Sequence, residues 1–483
     1  MDTDHWNFKY KECVEKVKEK GNRVKGIVLG FVSNIDAVCH VDIGKLQSLF
    51  DEKPEIEKKL LEKLRSPPGV IFSREDFFAG LVNCLRKGIG EEWVIKNKDV
   101  FRWLQDKFGY DQIRMGGLAG IAANTLSKLG VNNVIVHAAS LPKKQASLFL
   151  QNVRVPLKIN KDIILKDPMS AVRVEDEEMV HYIFEFDKGM EVTIGKERYV
   201  SPIANRFIAS WDPKNARLEI DPAFYECTLK IEFDRAAISG YQLLWRKYED
   251  GLSHADKING TVKLISEWRR GKTRPLIHLE MGSTKDPETS KAVLEMVSPH
   301  IDSIGLNEDE LADILHIFTF DELSNELRRE TTAKAIYKAA EKLLNLFKVN
   351  KVFVHTADFS ISVLRPKYGI PIQIVQKAML FGSALASARA VTGGYTNWNE
   401  LRESINSPRL HLSLKGLEEH LSLADELEKW GLASKEDFLE NGLAETENLW
   451  IVYIVTKITD DPATTTGLGD CLIAGVTLAE IDD

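Results

Sequence analysis

Short apolar runs punctuate this chain, and each ends in a polar or glycine-bearing turn. The first, Val24 to Phe31 ("VKGIVLGF"), is rich in β-branched residues and does not alternate with polar ones. That pattern predicts a strand buried on both faces, as in a parallel sheet. The runs "PLIHLEM" (275–281), "IDSIGL" (301–306), "KVFVHTA" (351–357) and "WIVYIVT" (450–456) repeat it, with helical segments between them. "RMGGLAGIAANTLSKLGVNNVIVHAA" (114–139) adds a double glycine, an alanine-rich helix, a stop at Gly130 and another buried strand. That is a helix–strand unit of α/β type.

Two stretches depart from this rhythm. From about Asp51 to Asn97 the chain is helical and highly charged, and "DEKPEIEKKLLEKLRS" carries opposite charges at i, i+4 on a solvated face. Around 157–203, "HYIFEFDKGMEVTIGKERYVSP" alternates apolar and polar residues across Asp187, Lys188 and Gly189, which predicts a half-exposed antiparallel hairpin. The expected architecture is an α/β core with a mainly parallel sheet flanked by helices, plus a smaller α+β lid made of two excursions. The division falls at 1–45, 113–155 and 205–483 for the core, and 46–112 and 156–204 for the lid.

Composition narrows the function classes. The chain has 483 residues, 44% hydrophobic and 28% charged, with a net charge of −8 and a pI near 5.9. No basic surplus exists to neutralise a nucleic-acid backbone, so nucleic acid is not an expected partner. One small phosphorylated ligand needs only local donors and stays open. Five scattered cysteines without a CxxC pair argue against a disulfide framework or a structural zinc site, and suit a reducing compartment. The charged N-terminus does not read as a signal peptide, and no run reaches the ~18 apolar residues of a membrane span. A cytoplasmic protein without a membrane partner is expected.

Four stretches place polar or glycine residues just beyond an apolar strand: "SNID" (33–36), "HLE" (278–280), "GLNEDE" (305–310) and "GLGD" (467–470). Singly, each also fits a bland role, as a turn, a solvated strand end or a helix cap with acidic first-turn residues. In a parallel sheet these strand ends share one edge, where ligands bind. Together they describe a kinase. Gly467 to Gly469 let backbone amides approach a phosphoryl group at a helix start. Asp470 is then the general base for an attacking hydroxyl. Glu280 and Glu310 are hard oxygen ligands for a hydrated Mg²⁺, directly or through water.

On these residues the chain resembles the ADP-dependent sugar kinases of the ribokinase-like superfamily. The resemblance runs through "VKGIVLGFVSNIDAV", "RMGGLAGIAAN", "HYIFEFDKG", "NRFIAS", "HLE", "GLNEDELADIL", "VFVHT" and "GLGD". It implies a ribokinase-like core, ADP as phosphoryl donor, AMP as product and a place in a modified glycolysis. It also implies Asp470 as the catalytic aspartate, Gly467 and Gly469 in the anion hole, and Glu280 and Glu310 as the acidic residues governing Mg²⁺. Arg206, Asn307, His355, Thr356, Thr459 and Gly469 become nucleotide contacts, although Arg206 equally suits a lid salt bridge.

The resemblance leaves the sugar to be argued. Asn34, Asp36, Glu92, Gly117 and His181 fall on sugar contacts of the family's glucokinases, and Leu118 stands where the family usually has Gln. A carboxylate accepts hydrogen bonds from a neutral sugar and repels a sugar phosphate. Where phosphofructokinase-type members carry cations for the second phosphate, this chain has Met179 and Trp211. Glucose 6-phosphorylation is therefore expected. The alternatives are a 6-phosphofructokinase or bifunctional enzyme and, from another class, a non-catalytic sugar or nucleotide sensor. The sequence sets no oligomeric state beyond monomer or dimer.

Overall fold

A computed structural model describes residues 3–481 apart from 22, 52–53, 272–273 and 285. Residues 52 and 53 of the charged stretch, and both extremes of the core division, lie outside the described residues.

Ile27–Gly30 is buried at every position and pairs in parallel with Val134–Val136 on one side and Arg235–Ile238 on the other. The unalternating apolar run meets apolar neighbours above and below, as a central strand must. Parallel pairing continues outward through Leu276–Glu280, Ser303–Asn307 and Lys351–His355. Antiparallel Phe359–Leu364, Trp450–Val455 and Leu443–Glu445 finish that side. Val153–Ile159 and its hairpin partner Asp162–Lys166 finish the other, giving eleven strands. The helix Ile372–Thr392, apolar around most of its surface, packs against the C-terminal helix Leu468–Ala479 and holds it under the sheet.

A second sheet of six strands has its own core. Its order is Val70–Ile71, Glu91–Ile95, Asn205–Trp211, Val180–Phe186, Asn34–His40 and Gln112–Gly116. Its helix-covered face is aromatic, with Phe77, Phe78, Trp93, Phe184 and Phe207 at 1% exposure or less.

Strand pairing redraws two expectations. Val180–Phe186 and Glu191–Ile194 do not form a hairpin with each other. The first pairs with Asn34–His40 and Asn205–Trp211, and the second with Glu197–Val200. The turn at Gly189 forms, with φ of +82°, but its flanks go to different sheets. Second, Asn34–His40, residues 113–116 and Asn205–Trp211, assigned by sequence to the core, sit in the smaller sheet. Residues 156–166, assigned to the lid, sit in the larger one. Alternation marks a strand but does not name its partner, because pairing is a non-local choice. All five cysteines are buried, and none of them is in a disulfide.

Candidate active site

The two sheets meet across a cleft of about 210 Å³. Asn34, Asp36, Glu92 and His181 reach it from the smaller sheet, and Glu280 from a strand end of the larger one. Gly117, Leu118, Gly467 and Asp470 complete this part of its wall. Thus all six residues expected to meet the sugar share a cavity with the expected base and one of the two glutamates.

On the lid wall, His181 Nε2 lies 3.0 Å from Asp212 Oδ2, and its Nδ1 lies 3.6 Å from Glu92 Oε1. Ser210 donates to Glu92, and Asp212 is fixed in turn by the Asn215 side-chain amide at 2.8 Å. Burial alone lowers the His181 pKa. The hydrogen bond to Asp212 and the charges of Glu92, Asp212 and Asp36 outweigh it and carry it up to about 9. The ring is a cation at neutral pH. Asn34 Nδ2 donates to Asp36 Oδ1 at 2.8 Å, while Asn34 Oδ1 is buried without a partner at the cleft. A buried, unsatisfied acceptor is a place for a ligand hydroxyl. Gly117 has φ of +73°, and a Cβ there sits 2.6 Å from the Val32 carbonyl. Leu118 beside it is 5% exposed and, with Ile121, gives the cleft an apolar patch.

On the core wall, Glu280 closes a strand and is gripped by two histidines. His278 Nε2 lies 3.0 Å from Oε2, and His355 Nε2 lies 2.8 Å from Oε1. Burial pushes the Glu280 pKa up, but the two rings reverse this and leave it below the usual carboxylate range. Gly305 on the neighbouring strand makes room, since a Cβ there would lie 2.0 Å from Glu280 Oε2. Glu310 is held by a helix cap: the Asn307 amide donates to Glu310 Oε2 at 3.0 Å, and Asn307 Oδ1 accepts from the Glu310 amide at 2.9 Å. Burial, with the Glu280 charge adding to it, pushes the Glu310 pKa up to about 7.

Asp470 lies in the first turn of Leu468–Ala479, whose N-cap Gly467 is left-handed and provides no side chain. The first amides of that helix are therefore free of side-chain capping and available to an anion. Burial, then the Glu280 charge, raises the Asp470 pKa to about 7. A carboxyl near 7 suits a general base at neutral pH.

Other expected residues behave differently. His355 is in place, and a Cβ on Gly469 would lie 3.7 Å from its ring, so the two are neighbours. Thr356 closes a local turn, its hydroxyl donating to the Phe359 carbonyl at 2.9 Å. Thr459 accepts from the Asp461 amide at 3.4 Å and does not line the cleft. Arg206 reaches Thr465 rather than a lid carboxylate. Asp212, Ser210 and Gln242 were not anticipated, nor was Arg389, which donates Nε to the Thr466 carbonyl at 3.1 Å. Asp212, Gln242 and Arg389 carry no motif, and Ser210 in "NRFIAS" and His278 in "HLE" stood without a role.

Among the described residues no cluster of three or more His, Cys, Asp or Glu is arranged to cage a metal. Glu280 and Glu310 are both already hydrogen-bonded, and Glu310 is a carboxylate whose charge is disfavoured without a nearby cation. That donor set fits a hydrated Mg²⁺ that arrives with phosphate oxygens and is met largely through water.

Residues 25–479 match the family model of the ADP-specific phosphofructokinase/glucokinase conserved region. An ADP-specific phosphofructokinase of Methanosarcina acetivorans is 30% identical over 99% of this chain and 98% of its own. An ADP-dependent glucose/glucosamine kinase of Pyrococcus furiosus is 29% identical over 98% of each. The solved structure of an ADP-dependent kinase complex with fructose-6-phosphate and ADPbetaS superposes with a TM-score of 0.85 at 30% identity, covering 100% of this chain and 99% of that one. Site and comparisons agree: the chain belongs to the ADP-specific phosphofructokinase/glucokinase family of ADP-dependent sugar kinases.

Proposed function

We propose that this kinase transfers the β-phosphoryl of ADP to the 6-hydroxyl of glucose, giving glucose 6-phosphate and AMP. One observation carries the choice of sugar. The charged residues lining the cleft are Asp36, Glu92, Glu280, Asp470 and His181, with neither lysine nor arginine among them. A neutral hexose can use Asn34, Asp36, Glu92 and His181 as hydrogen-bond partners. A second phosphate meets carboxylates instead. Met179 is fully buried, and Trp211 stacks on Phe101 at 5.2 Å between ring centres, so neither position offers a cation.

In the proposed mechanism Asp470 takes the proton of the sugar hydroxyl as its oxygen attacks the β-phosphorus. The bond from that phosphorus to the bridging oxygen breaks, and AMP leaves. The amides of Leu468, Gly469 and Asp470 stabilise charge gathering on the transferred group. Glu280 and Glu310 would hold Mg²⁺ through water, and the ion supplies charge neutralisation at the phosphate oxygens. His278 and His355 keep Glu280 ionised and oriented. Asp212 keeps His181 protonated against the sugar. The lid excludes water, which competes as acceptor.

Fructose 6-phosphate is the second reading, supported by the relatives named ADP-specific phosphofructokinase and by the similar ADP-dependent kinase complex with fructose-6-phosphate. The test is a grid of ADP and ATP against glucose and fructose 6-phosphate. A higher kcat/KM for glucose with ADP is expected, and a strong preference for fructose 6-phosphate replaces the glucose reading. No AMP formation with any hexose leaves a binding protein.

A further inference from the structure

Two arginines on the lid face the catalytic turn and meet no anion there. Arg114, in Gln112–Gly116, donates Nη2 to the Thr466 hydroxyl and lies 3.5 Å through Nη1 from the Thr464 hydroxyl. Arg206, in Asn205–Trp211, reaches the Thr465 hydroxyl at 3.4 Å. Three consecutive threonines thus receive both guanidinium groups, and their turn runs directly into Gly467 and the helix that carries Asp470. From the other side Arg389 holds the Thr466 carbonyl.

Among the described residues neither Arg114 nor Arg206 forms an ion pair. Asp36 stands opposite Arg114 across its strand pair, and Glu185 opposite Arg206. Both act at a distance. Arg114 Nε is buried without a partner. The two guanidiniums also repel: burial, chiefly, and the Arg114 charge lower the Arg206 pKa. Neutral hydroxyls are weak partners for two such groups, whereas a phosphoryl group offers each a planar, two-point match.

We infer that Arg114, with Arg206, closes on the phosphoryl group being transferred, exchanging the threonine hydroxyls for its oxygens and tying the lid to the catalytic turn. The inference rests on the kinase reading above; Arg206 is a nucleotide contact that the resemblance already implies, and the addition is Arg114, which opens "RMGGLAGIAAN" with no role assigned to it. It also gives closure a cause. AMP lacks the terminal phosphate, so it cannot draw the two arginines off the threonines, and ADP can.

Arg114→Gln and Arg114→Lys in the full chain test it. Binding of Mg·ADP and of AMP is titrated at saturating glucose, alongside steady-state turnover. Arg114→Gln is expected to lose about tenfold or more of the ADP-over-AMP preference and about 100-fold in kcat, with AMP and sugar affinity unchanged. Arg114→Lys keeps the charge without the fork and recovers part of both; it also keeps the test alive should Arg114→Gln fold poorly. An unchanged ADP-to-AMP ratio in either folded variant overturns the inference. So does an equal loss for ADP, AMP and sugar, which marks a residue that only braces the lid. If the wild-type chain phosphorylates no hexose, the kinase reading falls by itself. An ADP preference that depends on Arg114 then still upholds the phosphoryl site.

Discussion

The two walls of the cleft respond to burial in opposite ways. On the lid wall a histidine is carried up to about 9 because a hydrogen-bonded carboxylate, Asp212, and the nearby charge of Glu92 flank it. On the core wall two carboxyls, Asp470 and Glu310, are carried up to about 7 because burial and the Glu280 charge act on them with too little cation nearby. The lid wall is electrostatically closed and presents fixed hydrogen-bond partners. The core wall is unfinished: it has proton-accepting capacity and negative charge that the proposed cation and phosphate would complete. The wall proposed to bind a neutral ligand and the wall proposed to perform proton transfer differ here in which neighbours accompany burial, not in burial itself.

Removing the base strikes that contrast hardest. Asp470→Asn is expected to lower kcat by about 10²–10⁴-fold, measured as AMP formation, while melting temperature is unchanged or rises, because a buried carboxyl with disfavoured charge is gone. A kcat within a few fold of wild type means the core wall holds no base. Next comes pH. With Asp470 near 7, kcat/KM falls roughly tenfold per unit below that value and levels off above it, and a profile flat from pH 5 to 8 contradicts this.

The lid wall is probed by Asp212→Asn. The His181 pKa in the fold lies above its ordinary 6.5, so its contribution to stability is complete below about pH 6.5 and is lost as pH rises through about 9. The variant should flatten stability across that window in thermal melts and raise the sugar KM about tenfold, leaving the ADP KM alone. An unaltered pH dependence means the His181–Asp212 pair is not the source. The smallest effect is expected from Leu118→Gln, which adds one hydrogen-bonding group to an apolar patch. A gain of 0.5–1.5 kcal/mol corresponds to roughly 2- to 12-fold in sugar KM. A lost rather than gained affinity says that Leu118 packs against the sugar ring.

Much of the catalytic wall was legible in the chain because its residues sit at strand and helix ends with their own local signals. Glu280 ends an apolar run, Asn307 and Glu310 form a cap that spacing alone predicts, and Gly467 to Asp470 open a helix. Arg114, Asp212 and Arg389 have no such signal. Each is a charged residue on an ordinary strand or helix, or just past one, and each matters only through a partner 31 to 352 positions away.

By itself, then, the sequence determined the main strands of the larger sheet, that this sheet is mainly parallel, and which carboxylates stand at strand ends. The stretch from about 51 to 97, read as helical, also holds the strands Val70–Ile71 and Glu91–Ile95. Burial patterns, caps and glycine turns are written within a few residues of where they act. The tertiary structure alone decided that Val180–Phe186 leaves its apparent hairpin partner for two other strands, that His181 is a cation, and that lid arginines rest on a core turn. Strand partners and pKa values depend on groups brought together through space, and distance along the chain does not encode them.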